Sequence, residues 1–175
     1  MAKPKSREYT KEELEKLRNE CLLRFTYVPE TGELVNTKHS RWVKAGAVAG
    51  CWKEKGYRVL SVFGSLHRVH RLIFLIHHGY LPQEIDHIDS DPSNNRIENL
   101  RVCTGSQNNA NRRKDARNTS GFKGVSWDKE RKKWIAGIKI GRKQRYLGGF
   151  DTKEEAHAAY CQKASELYGE FARPE

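Results

Sequence analysis

The chain has 175 residues, and its 33 lysines and arginines outnumber its 22 aspartates and glutamates, a formal charge of +11. At 37% hydrophobic and 31% charged residues it is too polar for a membrane protein and too apolar for a wholly disordered one. No run approaches the ~18–20 apolar residues that span a bilayer, and the positive surplus favours an acidic polymer as partner, most often nucleic acid.

Residues 1–7 are basic, but no apolar stretch follows them. A secretory leader is therefore not expected, and the chain is expected in the cytoplasm. Cys21, Cys51, Cys103 and Cys161 are scattered with no CxxC pair. A zinc ribbon does not fit that spacing, and a disulfide framework is not expected where no export signal is, which leaves four reduced thiols.

Thr10-Lys11-Glu12-Glu13 has the pattern of a capping box, and Leu14, Leu17, Cys21 and Leu22 follow at helical spacing. The helix is expected to end near Leu23 or Arg24. Two short strands then flank the turn Pro29-Glu30-Thr31-Gly32. Residues 46–68 read as a small sheet, with a type II′ hairpin turn at Gly64-Ser65. Residues 70–78 read as a helix stopped by Gly79, which tolerates positive φ.

Asp86-His87-Ile88-Asp89 comes next, followed by an Asn-rich loop, a short strand near 100–103 and a second capping box, Thr104-Gly105-Ser106-Gln107. The helix it opens carries Asn108 and leads into Arg112, Arg113, Lys114 and Arg117. Residues 101–117 hold five basic residues and one acidic residue and are expected to track a phosphate backbone. Strands are then expected at 123–127, 133–140 and 144–150. A third capping box, Thr152-Lys153-Glu154-Glu155, opens a helix whose stripe is Ala156, Ala159, Tyr160, Ala164 and Leu167.

Residues 86–108 carry the chemistry. Hydrolysing a phosphodiester needs an activated water, a base and positive charge on the developing phosphorane. His87 suits the base because its reference pKa lies near neutrality. Asp86 is a hard oxygen ligand for a cation such as Mg²⁺. Neighbouring strand residues point to opposite faces, so Asp86 and His87 can serve one phosphate only where a strand ends or bends. Asp89-Ser90-Asp91 does not begin a calcium EF-hand loop, since its sixth position is Asn94 and its twelfth is Leu100. His77 and His78 are adjacent on a helix and do not share a face. His70 and Arg71 are candidates for supporting the site or a phosphate.

Val69-His70-Arg71-Leu72, Asp86-His87-Ile88-Asp89 and Asn94-Asn95-Arg96-Ile97-Glu98-Asn99-Leu100-Arg101, closed by Asn108, resemble the HNH (ββα-metal) endonucleases of phages and introns, many of them homing enzymes. The resemblance implies that Asp86 and Asn108 hold one Mg²⁺ or Mn²⁺ per active site, that His87 activates water and that Asn99 is structural, tying the loop so that His87 is held in orientation. The common third residue of the motif is His. Asn108 in its place suits a hard cation rather than zinc.

Gly121-Phe122-Lys123-Gly124-Val125-Ser126-Trp127, Tyr146-Leu147-Gly148-Gly149-Phe150 and Ala158-Ala159-Tyr160 resemble the ethylene-response-factor (APETALA-type) DNA-binding domain, which lays a three-stranded sheet in the major groove. Alternation places Trp134, Ala136 and Ile138 toward the helix, and Lys133, Ile135, Gly137 and Lys139 on the other side. Gln144 and Tyr146 are expected on the DNA side, and Arg145 falls on the inward side.

These readings predict an α+β chain: an N-terminal helix and extension at 1–26, a nuclease domain at 27–112, a basic linker at 113–120 and a sheet reader at 121–173. The expected DNA contacts are Arg71, Arg112, Arg113, Lys114, Arg117, Lys123, Trp127, Lys133, Lys139, Gln144, Arg145 and Tyr146. The expected activity is that of a metal-dependent endonuclease, either a nickase or a homing enzyme, acting on double-stranded DNA. It is expected to be phage-encoded and to work in a bacterial host as a monomer, with a transient dimer on DNA for a double-strand cut. The alternatives are a DNA-binding regulator with a vestigial nuclease fold and an RNA-directed nuclease.

Overall fold

The structure is a computed structural model describing residues 8–41, 43–53, 56–141 and 143–173. The basic run at 1–7 lies outside these residues. Helices and small antiparallel sheets alternate, giving an α+β chain of two compact units, Met1–Val102 and Cys103–Glu175.

In the first unit, α1 (Lys11–Arg24) opens on the Thr10 capping box: the Thr10 side chain accepts from the Glu13 N–H and the Glu13 carboxylate from the Thr10 N–H. Leu17 and Cys21 carry its buried stripe. β1 (Phe25–Val28) and β2 (Glu33–Asn36) form a hairpin. Gly32 closes its turn at φ +71°, and a Cβ there would meet the Arg96 backbone nitrogen at 2.4 Å, so only glycine fits.

β3 (Cys51–Trp52), β4 (Arg58–Val62) and β5 (Ser65–Arg68) make a three-stranded sheet. The β4–β5 turn sits one residue earlier than the sequence suggests. Val62 pairs with Ser65, and both Phe63 (φ 50°) and Gly64 (φ 73°) are left-handed, which is the type I′ signature rather than II′. Phe63 bears that conformation with its ring in solvent, under the Lys16 ammonium.

α2 (Val69–His78) ends on Gly79 at φ 75° and packs against α1. Leu34, Val62, Leu72, Ile73 and Leu75 are fully buried, so the core lies where α2 packs on β4, with Leu34 of β2 in the same cluster. β6 (Glu84–His87) pairs with β7 (Leu100–Cys103).

In the second unit, β8 (Val125–Asp128), β9 (Lys133–Ile140) and β10 (Lys143–Phe150) form an antiparallel sheet in the order β10-β9-β8. α4 (Lys153–Tyr168) lies against it, capped by Thr152 and Glu155. Ala136, Ala156 and Ala164 are nearly inaccessible, which lets the helix approach the sheet closely. Gly124 (φ +74°) touches the Tyr160 ring, where a Cβ would come within 2.1 Å of a ring carbon.

The unit boundary falls between Val102 and Cys103, ahead of the domain edge expected at 112. α3 (Gly105–Asn111), capped by Thr104 and Gln107, packs on α4 and on the 3₁₀ turn Gly169–Phe171. The 113–120 segment is also tied into this unit: Ser120 is buried, its hydroxyl donates to Asn118 Oδ1, and Asn118 Nδ2 donates to the Phe122 carbonyl.

Candidate active site

Asp86 and His87 are the last two residues of β6, both buried at 5% exposure. Asp86 Oδ2 accepts from Arg101 Nε at 3.1 Å and from Arg101 Nη2 at 3.0 Å. Arg101 stands on β7, so the paired strands bring guanidinium and carboxylate together. This fork orients the carboxylate and offsets part of its charge.

His87 Nε2 lies 3.0 Å from Asn95 Oδ1. The amide oxygen can only accept, so Nε2 carries the proton and Nδ1 is the basic nitrogen. Asn95 is itself buried at 4% exposure. In sequence the Asn-rich run reads only as turn chemistry, and nothing there marks Asn95 as a partner of His87.

Asn99 acts on the loop. Its amide nitrogen donates to Asp89 Oδ1 (3.0 Å) and to the Asn94 carbonyl (2.8 Å), its Oδ1 accepts from the Asp89 N–H, and its carbonyl accepts from the Ile88 N–H. Asp89 also accepts from the Asp91 N–H and from Asn94 Nδ2. These donors outweigh partial burial and hold its carboxyl below the usual carboxylate range. The loop that presents Asn95 is thus built by Asp89, Asn94 and Asn99.

A second histidine meets the first. His70, in the opening turn of α2, is 3% exposed, and its ring centroid lies 4.9 Å from that of His87 in an edge-on contact. Tyr57 completes the group, 5.5 Å from His70 and 6.1 Å from His87. Burial, and next the neighbouring His87, push the His70 pKa well below its ordinary value.

Asn108, on α3, belongs to the second unit, whereas Asp86, His87 and Asn99 belong to the first. Among the described residues no three His, Cys, Asp or Glu side chains gather as a metal cage. A buried carboxylate and a neutral amide are hard oxygen donors. That chemistry fits a divalent cation which takes the rest of its shell from water and phosphate.

Three of the expected DNA contacts, Arg71, Lys123 and Lys133, bond to groups within the protein, and the sheet register places Trp127 and Arg145 on the face turned to the helix, both exposed. Arg71 donates to the carbonyls of Pro82 (3.1 Å) and Gln83 (3.3 Å), bracing the turn before β6. Lys123 Nζ donates to the carbonyls of Ala110, Arg112 (2.7 Å) and Arg173 (3.0 Å), closing the C-terminus of α3. Burial, with Arg173 and Arg112 nearby, lowers its pKa to about 8. Trp127 pairs in register with Trp134 and so takes the face that Ala136 and Ile138 turn to the helix; its ring contacts Trp134 at 5.1 Å. Arg145 pairs with Ile138 on that same face, and Lys133 is bound to Asp151 at 2.6 Å.

Gln144 pairs with Lys139 and Tyr146 with Gly137, and all but Gly137 are exposed. A bulge between Tyr146 and Gly148 accompanies the packing of Leu147 into the core. Arg112, Arg113, Lys114 and Arg117 are exposed; Lys114 Nζ reaches the Gly121 carbonyl and Arg117 pairs with Asp115.

Comparison with known proteins bears on this arrangement. A family model described as HNH endonuclease matches residues 67–110, the stretch from β5 through α3. Protein 3.8 of Escherichia phage T7 is 39% identical over 89 residues, which cover 51% of this chain and 73% of that protein. A protein of Acanthamoeba polyphaga mimivirus, named as an uncharacterized HNH endonuclease, is 36% identical over 124 residues, covering 69% of this chain and 63% of that one.

The chain belongs to the HNH endonuclease family. This HNH protein also carries an AP2 domain at residues 120–170, the sheet-and-helix body of the second unit. No solved structure matches it. A nuclease domain and an AP2 domain share DNA as a partner. No helix among the described residues is long and apolar enough to cross a membrane.

Proposed function

We propose that this protein is a divalent-metal-dependent endonuclease that hydrolyses phosphodiester bonds in double-stranded DNA. The observation that carries the reading is the pairing of His87 Nε2 with Asn95 Oδ1 at a strand end shared with Asp86. It leaves Nδ1 as the proton acceptor and puts base and carboxylate on adjacent residues.

Water is the nucleophile, and its proton passes to His87 Nδ1 as the new P–O bond forms. The opposite P–O bond breaks, and the leaving oxygen takes a proton from solvent. A Mg²⁺ or Mn²⁺ ion held by Asp86 and Asn108 would stabilise the charge that builds on that oxygen. Arg101 orients Asp86, and Asn99 fixes the loop that brings Asn95 to His87. Lys139, Gln144 and Tyr146 form the reading face of the AP2 sheet, and Arg112 and Arg113 contact the backbone. A monomer with one such site nicks; a transient dimer on DNA cuts both strands, as a phage-borne homing enzyme in a bacterial host requires.

Incubating purified protein with supercoiled plasmid and Mg²⁺ tests this. Nicked circles with the native chain, and none with His87→Ala or with chelator, support it. Identical behaviour of native and His87→Ala protein in Mg²⁺ and Mn²⁺ would sink it.

A further inference from the structure

One cation near His87 has no part in the scheme above. Arg68 ends β5, opposite Val59 on β4. Leu60 and Val62 point into the core, so alternation puts Tyr57, Val59 and Arg68 on the solvent side of the sheet. The Arg68 guanidinium lies 4.5 Å over the Tyr57 ring, and that ring is 6.1 Å from the His87 ring. A cation stacked on an aromatic face is held in place without using its N–H donors.

The other arginines around the site each bond to a group within the protein. Arg101 is on Asp86, Arg71 on the Pro82 and Gln83 carbonyls, Arg96 on the Glu30 carbonyl and Arg58 on Glu33. Arg68 is exposed, and no carboxylate among the described residues pairs with it.

We infer that Arg68 is a further catalytic residue, which donates its N–H fork to the non-bridging oxygens of the phosphate attacked from His87. The negative charge on those oxygens grows as the phosphorane forms, so a planar cation preorganised on Tyr57, the ring next to His87, binds the transition state better than the ground state. Arg68 forms and breaks no covalent bond; the proton goes to His87 and the electron pair leaves with the departing oxygen, as above. Tyr57 is a positioning residue for the guanidinium.

The inference rests on the nuclease reading, and one experiment separates the two. Single-turnover nicking of plasmid is measured in Mg²⁺, and duplex binding is measured in Ca²⁺, for the full-length native chain, Arg68→Gln, Arg68→Lys and Tyr57→Leu. The expected result is a rate about 100-fold lower for Arg68→Gln with affinity changed less than about threefold. Arg68→Lys, which keeps the charge but not the fork, falls between, and the pH–rate profile keeps its shape because the base is untouched. Tyr57→Leu loses about tenfold, short of the full Arg68 loss. Native chain that nicks while Arg68→Gln and Arg68→Lys nick equally fast overturns the role of Arg68 and leaves the nuclease reading standing. So does a loss confined to affinity. Native chain that does not nick removes both.

Discussion

His87 Nε2 and Asn95 Oδ1 are 3.0 Å apart and both residues are buried, so the tautomer of the base is set by an amide eight residues downstream. Asn95→Ala removes the acceptor that fixes the ring. The expected outcome is a rate about 10–100-fold lower, by analogy with orienting partners of active imidazoles, with duplex affinity unchanged. Nicking rate and Ca²⁺-supported binding, measured together, check this. Asn95→Asp, which keeps an acceptor, recovers part of the rate.

The Asp86–Arg101 fork predicts an asymmetry in stability. The Arg101 side chain is 13% exposed and the Asp86 side chain 6%. Removing one partner strands the other charge in a poorly hydrated place, at a cost of about 3 kcal/mol. Arg101→Met should therefore lower the urea midpoint well below that of an exposed change such as Arg113→Gln. Asp86→Asn should fall in both stability and nicking, so its activity loss must be corrected for folded fraction.

Lys123 is predicted to act on folding and not on DNA. Its ammonium donates to carbonyls at the end of α3 and near the C-terminus. Lys123→Met leaves these acceptors short of a charged donor, a loss of about 2 kcal/mol. The slope of log affinity against log salt should stay at its native value. Arg112→Gln with Arg113→Gln should instead flatten that slope by about 2, one phosphate contact each. A salt titration of binding for both variants tests the division.

His70 gives the pH dependence. Its folded pKa lies well below the ordinary 6.5, because burial and His87 oppose its charge. Below pH 6.5 the unfolded chain takes up a proton that the folded chain refuses, so the unfolded state binds more protons and stability falls as pH falls. The loss begins near the unfolded pKa and continues down to the folded one. Urea midpoints from about pH 7 to about pH 5.5 should drop for the native chain and drop less for His70→Gln.

Much of the fold was legible because its signals are local. The Thr10, Thr104 and Thr152 capping boxes form as hydroxyl-to-amide pairs three residues apart, and Gly79 ends α2 in the left-handed conformation that only a missing Cβ makes easy. The alternation in β9 was legible for the same reason. The type I′ turn was not, since nothing local in Phe63 announces positive φ; the register of Val62 with Ser65 imposes it.

The sequence by itself determined the residue types and their spacing: Asp-His at a strand end, an Asn-rich loop, a capped helix bearing Asn108 and an alternating sheet. Tertiary structure alone decided which of these side chains meet. It turned Arg71 and Lys123 onto carbonyls, paired Asp86 with Arg101, and gave His87 the Asn95 amide as its partner. A hydrogen bond depends on where two donors and acceptors stand in space. For partners on different elements that position is set by packing, which no local pattern of residues encodes.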